Sequence, residues 1–190
     1  VPFLLSLPSS EKKMLRTIAA LTLEYCAEII DINPEFDKIS TIIIEFATDS
    51  SPSIRSHVPS IVTEFISTVE ESSSKSQLAA QMFLLAHDKS PAVRKSVIEY
   101  LYDFSKKVEL DTKILTVEPV LTILLDDQTL QIRMLALARF APILSTIGPD
   151  ISEELVKKYC HCLLSEEENV AYSVAFAFSA FALVIGSERF

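Results

Sequence analysis

The chain has 190 residues, 17 basic and 26 acidic side chains, a net charge of −9 and two glycines, where average usage would give roughly 13. So few glycines nearly exclude sandwiches built on glycine-dependent hairpins and exclude glycine-rich phosphate loops. The acidic balance argues against nucleic acid or an anionic membrane surface as the main partner, since both reward clustered Lys and Arg. Apolar stretches such as Ile39 to Ala47 are too short to span a bilayer, and Val1-Pro2-Phe3 has no basic leader. Cys26, Cys160 and Cys162 are too few and uneven for a disulfide framework, which suits a reducing compartment.

A period of 39 residues organises the chain. Pro2 falls in the same column as Pro119, so the chain is expected to open inside a helix, as a fragment of a longer array would. The first well-marked helix carries its apolar positions at Leu15, Ala19, Leu23, Cys26 and Ile30, behind Arg16. Steps of four, four, three and four mark one buried helix face; a strand would alternate in twos. Thr17, Glu24 and Glu28 fall on the opposite face, and Asp31 to Asp37 reads as a polar link.

The second unit opens with a helix whose buried column is Ile39, Ile43, Phe46 and Ala47, then turns at Asp49-Ser-Ser-Pro52-Ser-Ile54-Arg55. Its second helix is predicted from Ile54 through Val58, Val62, Phe65 and Val69, with Ser56, Thr63 and Ser67 facing away. A link from Glu70 to Ser76 follows. The third unit repeats this with Leu78, Met82, Leu85 and Ala86, the turn Asp88-Lys-Ser-Pro91-Ala-Val93-Arg94, and the column Val93, Val97, Leu101, Phe104 and Val108. Lys95, Tyr102 and Lys106 lie opposite. The fourth gives Val117, Leu121, Leu124 and Leu125, the turn Asp127-Gln-Thr-Leu130-Gln-Ile132-Arg133, and Ile132, Ala136, Phe140, Ile143 and Ile147. In each turn the Asp is suited to capping the second helix, and Pro52 and Pro91 suit its first turn.

After the link Gly148 to Ser152 the pattern weakens. A first helix is predicted over Val156, Cys160, Leu163 and Leu164, and a second from Val170 to Ile185, with Ala171 where an Arg is expected and with Phe176, Phe178 and Phe181 crowded together. Gly186 matches Gly148 once a one-residue deletion is allowed. The units are therefore approximately 1–32 (partial), 33–71, 72–110, 111–149 and 150–190, forming a single array over residues 1–190.

A two-helix unit of about 40 residues with Asp in the turn and Arg six positions later, as in Asp49/Arg55, Asp88/Arg94 and Asp127/Arg133, resembles the HEAT repeat. The resemblance covers essentially the whole chain. It implies an all-α fold, a right-handed α-α superhelix or solenoid of about five stacked helix pairs. Within that family, the even spacing, the stretch Asp103 to Asp111 and the opening Val117-Glu118-Pro119 are similar to the scaffold (A) subunit of type 2A protein phosphatases and to related type 4 regulatory subunits. The resemblance implies a non-enzymatic regulatory subunit that organises a Ser/Thr phosphatase holoenzyme, needs no cofactor and binds phosphatase catalytic or regulatory subunits. A karyopherin-type nuclear transport receptor, or another HEAT adaptor, is the alternative. The expected location is cytoplasmic, with the nucleus as a second compartment.

Neighbouring repeats use up the helix faces of such an array, leaving one edge of turns free to grip a large protein partner. On this chain the ridge comprises Ser50, Ser51, Ser53, His87, Lys89, Ser90, Asp126, Gln128, Thr129, Gln131, Glu166 and Glu167, and Glu166-Glu167-Glu168 departs from the Asp/Arg pattern. Asp49, Arg55, Asp88, Arg94, Asp127 and Arg133 are assigned to a structural ladder between turns, since half-buried Arg is usually paired. Chemistry is harder to find. Cys160 and Cys162 are two positions apart, about 200° around a helix, and cannot share one metal ion. No nucleophile elbow is present, and His57, His87 and His161 are scattered. Ser72-Ser73-Ser74 reads as a solvated link before a phosphorylation site. The Phe176, Phe178 and Phe181 set reads as a surface awaiting a further repeat before a docking groove.

Overall fold

The computed structural model describes residues 10–26, 36–162, 164, 165 and 167–186, and every regular element among them is helical. Pro2, Glu28, Ile30, Leu163 and Glu166 lie outside the described residues, as does most of the Asp31 to Asp37 link. The chain forms two compact units, Val1–Tyr100 and Leu101–Phe190.

The first unit contains α1 (Lys13–Cys26), α2 (Phe36–Ala47), α3 (Pro52–Arg55), α4 (Val58–Phe65) and α5 (Ser72–Ala86), and α6 (Pro91–Lys107) carries the chain onward. Helix α2 packs on α3, α4 and α5, and α1 lies against α3 and α4. Ile39, Ile43, Phe46, Ile54, Val58, Val62, Phe65, Leu78 and Met82 form its core, each at most 2% exposed. The helix expected from Ile54 to Val69 is broken. Pro59 has no N–H to return to the carbonyl of Arg55 and its ring crowds that carbonyl, so α3 stops there, His57 N–H closes a tighter turn on Ile54 O at 3.0 Å, and α4 starts afresh. Thr63, expected to face outward, is fully buried, its hydroxyl satisfied by Pro59 O at 2.7 Å. The link after Val69 is also shorter than expected. Ser72 already begins α5, and Ser74, 7% exposed, donates its hydroxyl to Glu71 at 3.1 Å.

The second unit contains α7 (Leu110–Thr112), a π-helical stretch (Lys113–Val117), α8 (Glu118–Leu125), α9 (Leu130–Ile147), a 3-10 turn (Gly148–Asp150), α10 (Glu153–Cys162) and α11 (Glu168–Ile185). The first helix of this pair thus opens seven residues before Val117. It is widened at Pro119, which cannot donate to Leu115 O. Glu118 N–H reaches back five residues to Lys113 O instead, relieving the clash the proline ring would make in a regular turn. Against the expectation that the apolar stretches are too short, helix α9 is long and apolar enough to cross a membrane despite Arg133 and Arg139. It is the core helix of this unit: Ile132, Ala136, Phe140, Ile143 and Ile147 are buried and α8 and α11 pack along it.

The expected core of α10 is off by one. Val156 and Cys160 are half-buried and Leu164 is 78% exposed, whereas Leu155 and Tyr159 are buried. The deletion that shifts Gly186 therefore lies before α10, in the link after Ile147, and every later column moves back one position. Tyr159 stacks on Phe140 with centroids 4.1 Å apart and tilts against Phe181 at 4.5 Å, donating its hydroxyl to Val174 O at 3.3 Å. Burial, reinforced by Cys162 and Cys160, pushes the Tyr159 phenol up to about 12.

Candidate functional site

The turns between paired helices share one local design. In each, the side chain that opens the turn accepts the N–H two residues on: Asp49 from Ser51, Asp88 from Ser90 and Asp127 from Thr129, all at 2.7 Å. The Asp is thus not itself the helix cap. It stands two residues earlier and folds the turn, while Ser51 and Thr129 occupy the cap positions. Ser10 and Ser165 do the same with a hydroxyl, taking the N–H of Lys12 at 3.3 Å and of Glu167 at 3.2 Å. Once the deletion is placed, Ser165 falls in the Asp column, a correspondence that the one-residue shift hides in the sequence.

The arginines tie these turns together. Each reaches back six residues to the carbonyl that opens its own turn: Arg16 to Ser10 O at 2.8 Å, Arg55 to Asp49 O at 2.7 Å, Arg94 to Asp88 O at 2.8 Å and Arg133 to Asp127 O at 2.6 Å. In the first unit the same guanidinium also grips the next turn from two nitrogens. Arg16 donates to both Asp49 oxygens at 2.5 and 3.1 Å, and Arg55 to both Asp88 oxygens at 2.6 and 2.8 Å. In the second unit Ser165 has no carboxylate to offer, and Arg133 takes the side chain of Glu167. Burial by itself would raise the Asp49 and Asp88 carboxyls. Donation from Arg16 and Arg55, then from the Ser51 and Ser90 N–H groups, outweighs it and holds both below the usual carboxylate range. Arg16 and Arg55 are correspondingly raised by the carboxylates they bind.

With the Asp and Arg side chains turned into these clasps, the other turn residues face outward. Ser50, Ser53, His87, Lys89, Asp126, Gln128, Gln131 and Glu167 are exposed, and Ser51, Ser90 and Thr129 are half-buried. Several of them are engaged by their own fold: Glu167 holds Arg133, Asp126 pairs with Lys158 of α10, and His87 leans on Phe83 with ring centroids 4.9 Å apart while its Nδ1 meets Phe83 O at 3.1 Å. His57 sits 3.4 Å from Glu24, which also accepts the Ser60 hydroxyl at 2.7 Å. Cys160 and Cys162 are half-buried, and burial raises the Cys162 thiol, with Asp126 adding to it.

This geometry is that of a helical-repeat protein, and known proteins share it. Residues 27–58 match the HEAT repeat associated with sister chromatid cohesion. The fold is similar to one chain of the Pds5-Scc1 complex, with a TM-score of 0.70 at 15% identity, 96% of this chain aligning to 29% of that one. It is similar to the MAST/Orbit N-terminal domain, with a TM-score of 0.68 at 13% identity, covering 97% of this chain and 84% of that one. A designed armadillo repeat protein aligns over 99% of this chain and 84% of its own, with a TM-score of 0.62 at 15% identity. No curated protein matches the chain in sequence. At such identities the likeness is one of fold: an all-α repeat of helix pairs, as in HEAT and armadillo solenoids.

Proposed function

We propose that this chain is a non-catalytic protein-binding scaffold, and that its turns grip subunits of a Ser/Thr protein phosphatase. The observation that carries the scaffold reading is the division of labour in the turns. Asp and Arg are spent on joining one turn to the next, while Ser50, Ser53, Lys89, Gln128 and Gln131 are left exposed beside them. Exposed polar side chains beside turns that are already tied down suit a large protein surface better than a small ligand. The phosphatase partner rests on the 39-residue spacing and the Asp103 to Asp111 stretch, and a cytoplasmic location, with the nucleus as a second compartment, goes with it.

A second reading has its own support. The match over residues 27–58 and the likeness to the Pds5-Scc1 complex favour a cohesin-type partner. One experiment separates the two. The protein, tagged in its own cells, is purified under mild salt and its partners quantified by mass spectrometry, beside a Lys89→Glu variant. Recovery of a phosphatase catalytic subunit, reduced by the variant, supports the first reading. Recovery of an Scc1-like subunit instead supports the second, and recovery of no stoichiometric protein overturns the scaffold role.

A further inference from the structure

Helix α11 carries a second surface that the turns do not use. Tyr172, Phe176 and Leu183 are 75%, 81% and 85% exposed. Ala175, Ser179 and Ala180 lie exposed between them, and no charged residue occurs on α11 after Glu168. Two repeats earlier the same column of α6 holds Lys95, Glu99 and Lys106, tied into the surface pairs Lys95–Glu99 at 3.2 Å and Lys106–Asp103 at 2.6 Å. One repeat earlier the column is Met134, Ala138 and Ser145, and three repeats earlier Ser56, Ser60 and Ser67, so none of these copies places an aromatic side chain there. In α11 it is aromatic and aliphatic.

An adjoining helix pair would not cover this stripe. Helix α9 already has α11 packed along it, which shows where such a pair sits. On α9 the covered positions are Leu137, Ala141 and Leu144, at most 8% exposed, whereas Ala138 and Ser145 stay exposed. Shifted by the 38 residues that separate the two helices, the covered positions become Ala175, Ser179 and Ala182, and the exposed ones become Phe176 and Leu183. A helix pair laid on α11 in the same way would bury the small side chains and leave Phe176 and Leu183 in water.

We propose that this face docks an amphipathic α-helix of another protein, one with a basic residue at the end that meets Glu168. Three features select that occupant. Tyr172 to Leu183 spans about 16 Å along the axis, three helical turns, and the alanines and serine between the large side chains let a second helix approach to about 8 Å. The face offers only the hydroxyls of Tyr172 and Ser179 as polar groups. An extended peptide would bury N–H and C=O groups with nothing to bond them, whereas a helix satisfies its own. Finally, the stripe ends at exposed Glu167 and Glu168, and Glu167 already holds Arg133. A second copy packed parallel would bring its own Glu168 to that end, so the complementary charge is taken to come from a different protein.

The inference rests on the scaffold reading in supposing a protein partner, but it uses a different surface. The probe is a fluorescein-labelled synthetic peptide of about 18 residues, long enough to form helix on docking, with Leu at helical i, i+4 and i+7 spacing and Lys confined to one end. The expected result is saturable binding by fluorescence anisotropy, with Kd on the order of 10 μM. Phe176→Asp and Leu183→Ser should each weaken it at least about ten-fold with an unchanged melting curve, and Lys89→Glu should leave it intact. Replacing the terminal Lys by Glu should weaken it at low salt. Equal binding of a scrambled peptide, equal binding by the Phe176 and Leu183 variants, or a dimer in sedimentation that Phe176→Asp dissolves would overturn the proposal. None of these outcomes bears on the purification experiment with Lys89.

Discussion

Arg55→Ala removes the clasp between two turns of the first unit. The guanidinium gives two bonds to Asp88, at 2.6 and 2.8 Å, and one to Asp49 O at 2.7 Å. The side chains are 15% and 9% exposed, so the pair is neither in bulk water nor fully dry. Hydrogen bonds to charged groups contribute about 1.5–3 kcal/mol, and removing one partner of a fully buried pair costs about 3–5 kcal/mol. Partial exposure discounts the latter, and Ser90 N–H still serves one Asp88 oxygen. A loss of about 2–3 kcal/mol is therefore expected for Arg55→Ala. For Asp88→Asn, which keeps the shape and the turn, it should be about 1–2 kcal/mol. Urea unfolding followed by far-UV circular dichroism measures both, and the double variant should recover a coupling of at least about 1 kcal/mol. A loss under about 0.5 kcal/mol, the value of an ordinary surface pair, would refute the clasp as a structural element. Loss of partner binding at unchanged stability would move Arg55 from the ladder to the binding edge.

The other clasp should be weaker. Glu167 is half exposed, so Glu167→Ala should cost less than about 1 kcal/mol, with an effect that fades at high salt in the same unfolding assay. Acid should open the first unit through Asp49 and Asp88. Their folded values lie below the unfolded one, near 3.9, so the stabilisation is complete above that pH and is lost as pH falls through the folded values. Urea midpoints measured between about pH 5 and pH 2 should fall steeply for the native chain and less steeply for Arg16→Ala. At the alkaline end, one of the five tyrosines should ionise near 12, in a late ultraviolet phase that Tyr159→Phe abolishes. A single phase near the ordinary phenol value, about 10, would contradict its burial.

Much of this fold is legible because its signals recur. Four columns of helical spacing repeat at 39 residues, so an error in one copy is corrected by the next, and Ile54, Val93 and Ile132 are all buried. What escaped the sequence is what occurs once among the described residues. Pro59 breaks one helix and has no counterpart in its column, and Pro119 widens another, with Pro2 its counterpart in sequence outside the described residues. The lost residue before α10 was visible at Gly186 but could not be located from spacing alone, which misplaced the core onto Val156 and Leu164. Packing located it, because only the shifted register buries Tyr159 beside Phe140. In the turns, spacing marks Asp and Arg as special but does not say which Arg meets which Asp. That pairing, 33 residues apart, depends on how one turn lies on the next. The set Phe176, Phe178 and Phe181, expected on one surface, is divided by the packing: Phe181 is fully buried against Tyr159, while Phe176 is 81% exposed.

The Arg clasp is directional: Arg16, Arg55 and Arg133 each hold their own turn behind and the following turn ahead, and the two ends of the arrangement differ. Such a link never closes on itself and counts nothing, so it sets no preferred number of copies. Excising residues 50–88 would join Asp49 to Lys89 and still leave Arg16 the carboxylate it now holds, with Arg94 six positions beyond it. Growth or loss by whole modules, over generations or at the bench, needs no new chemistry at the seam.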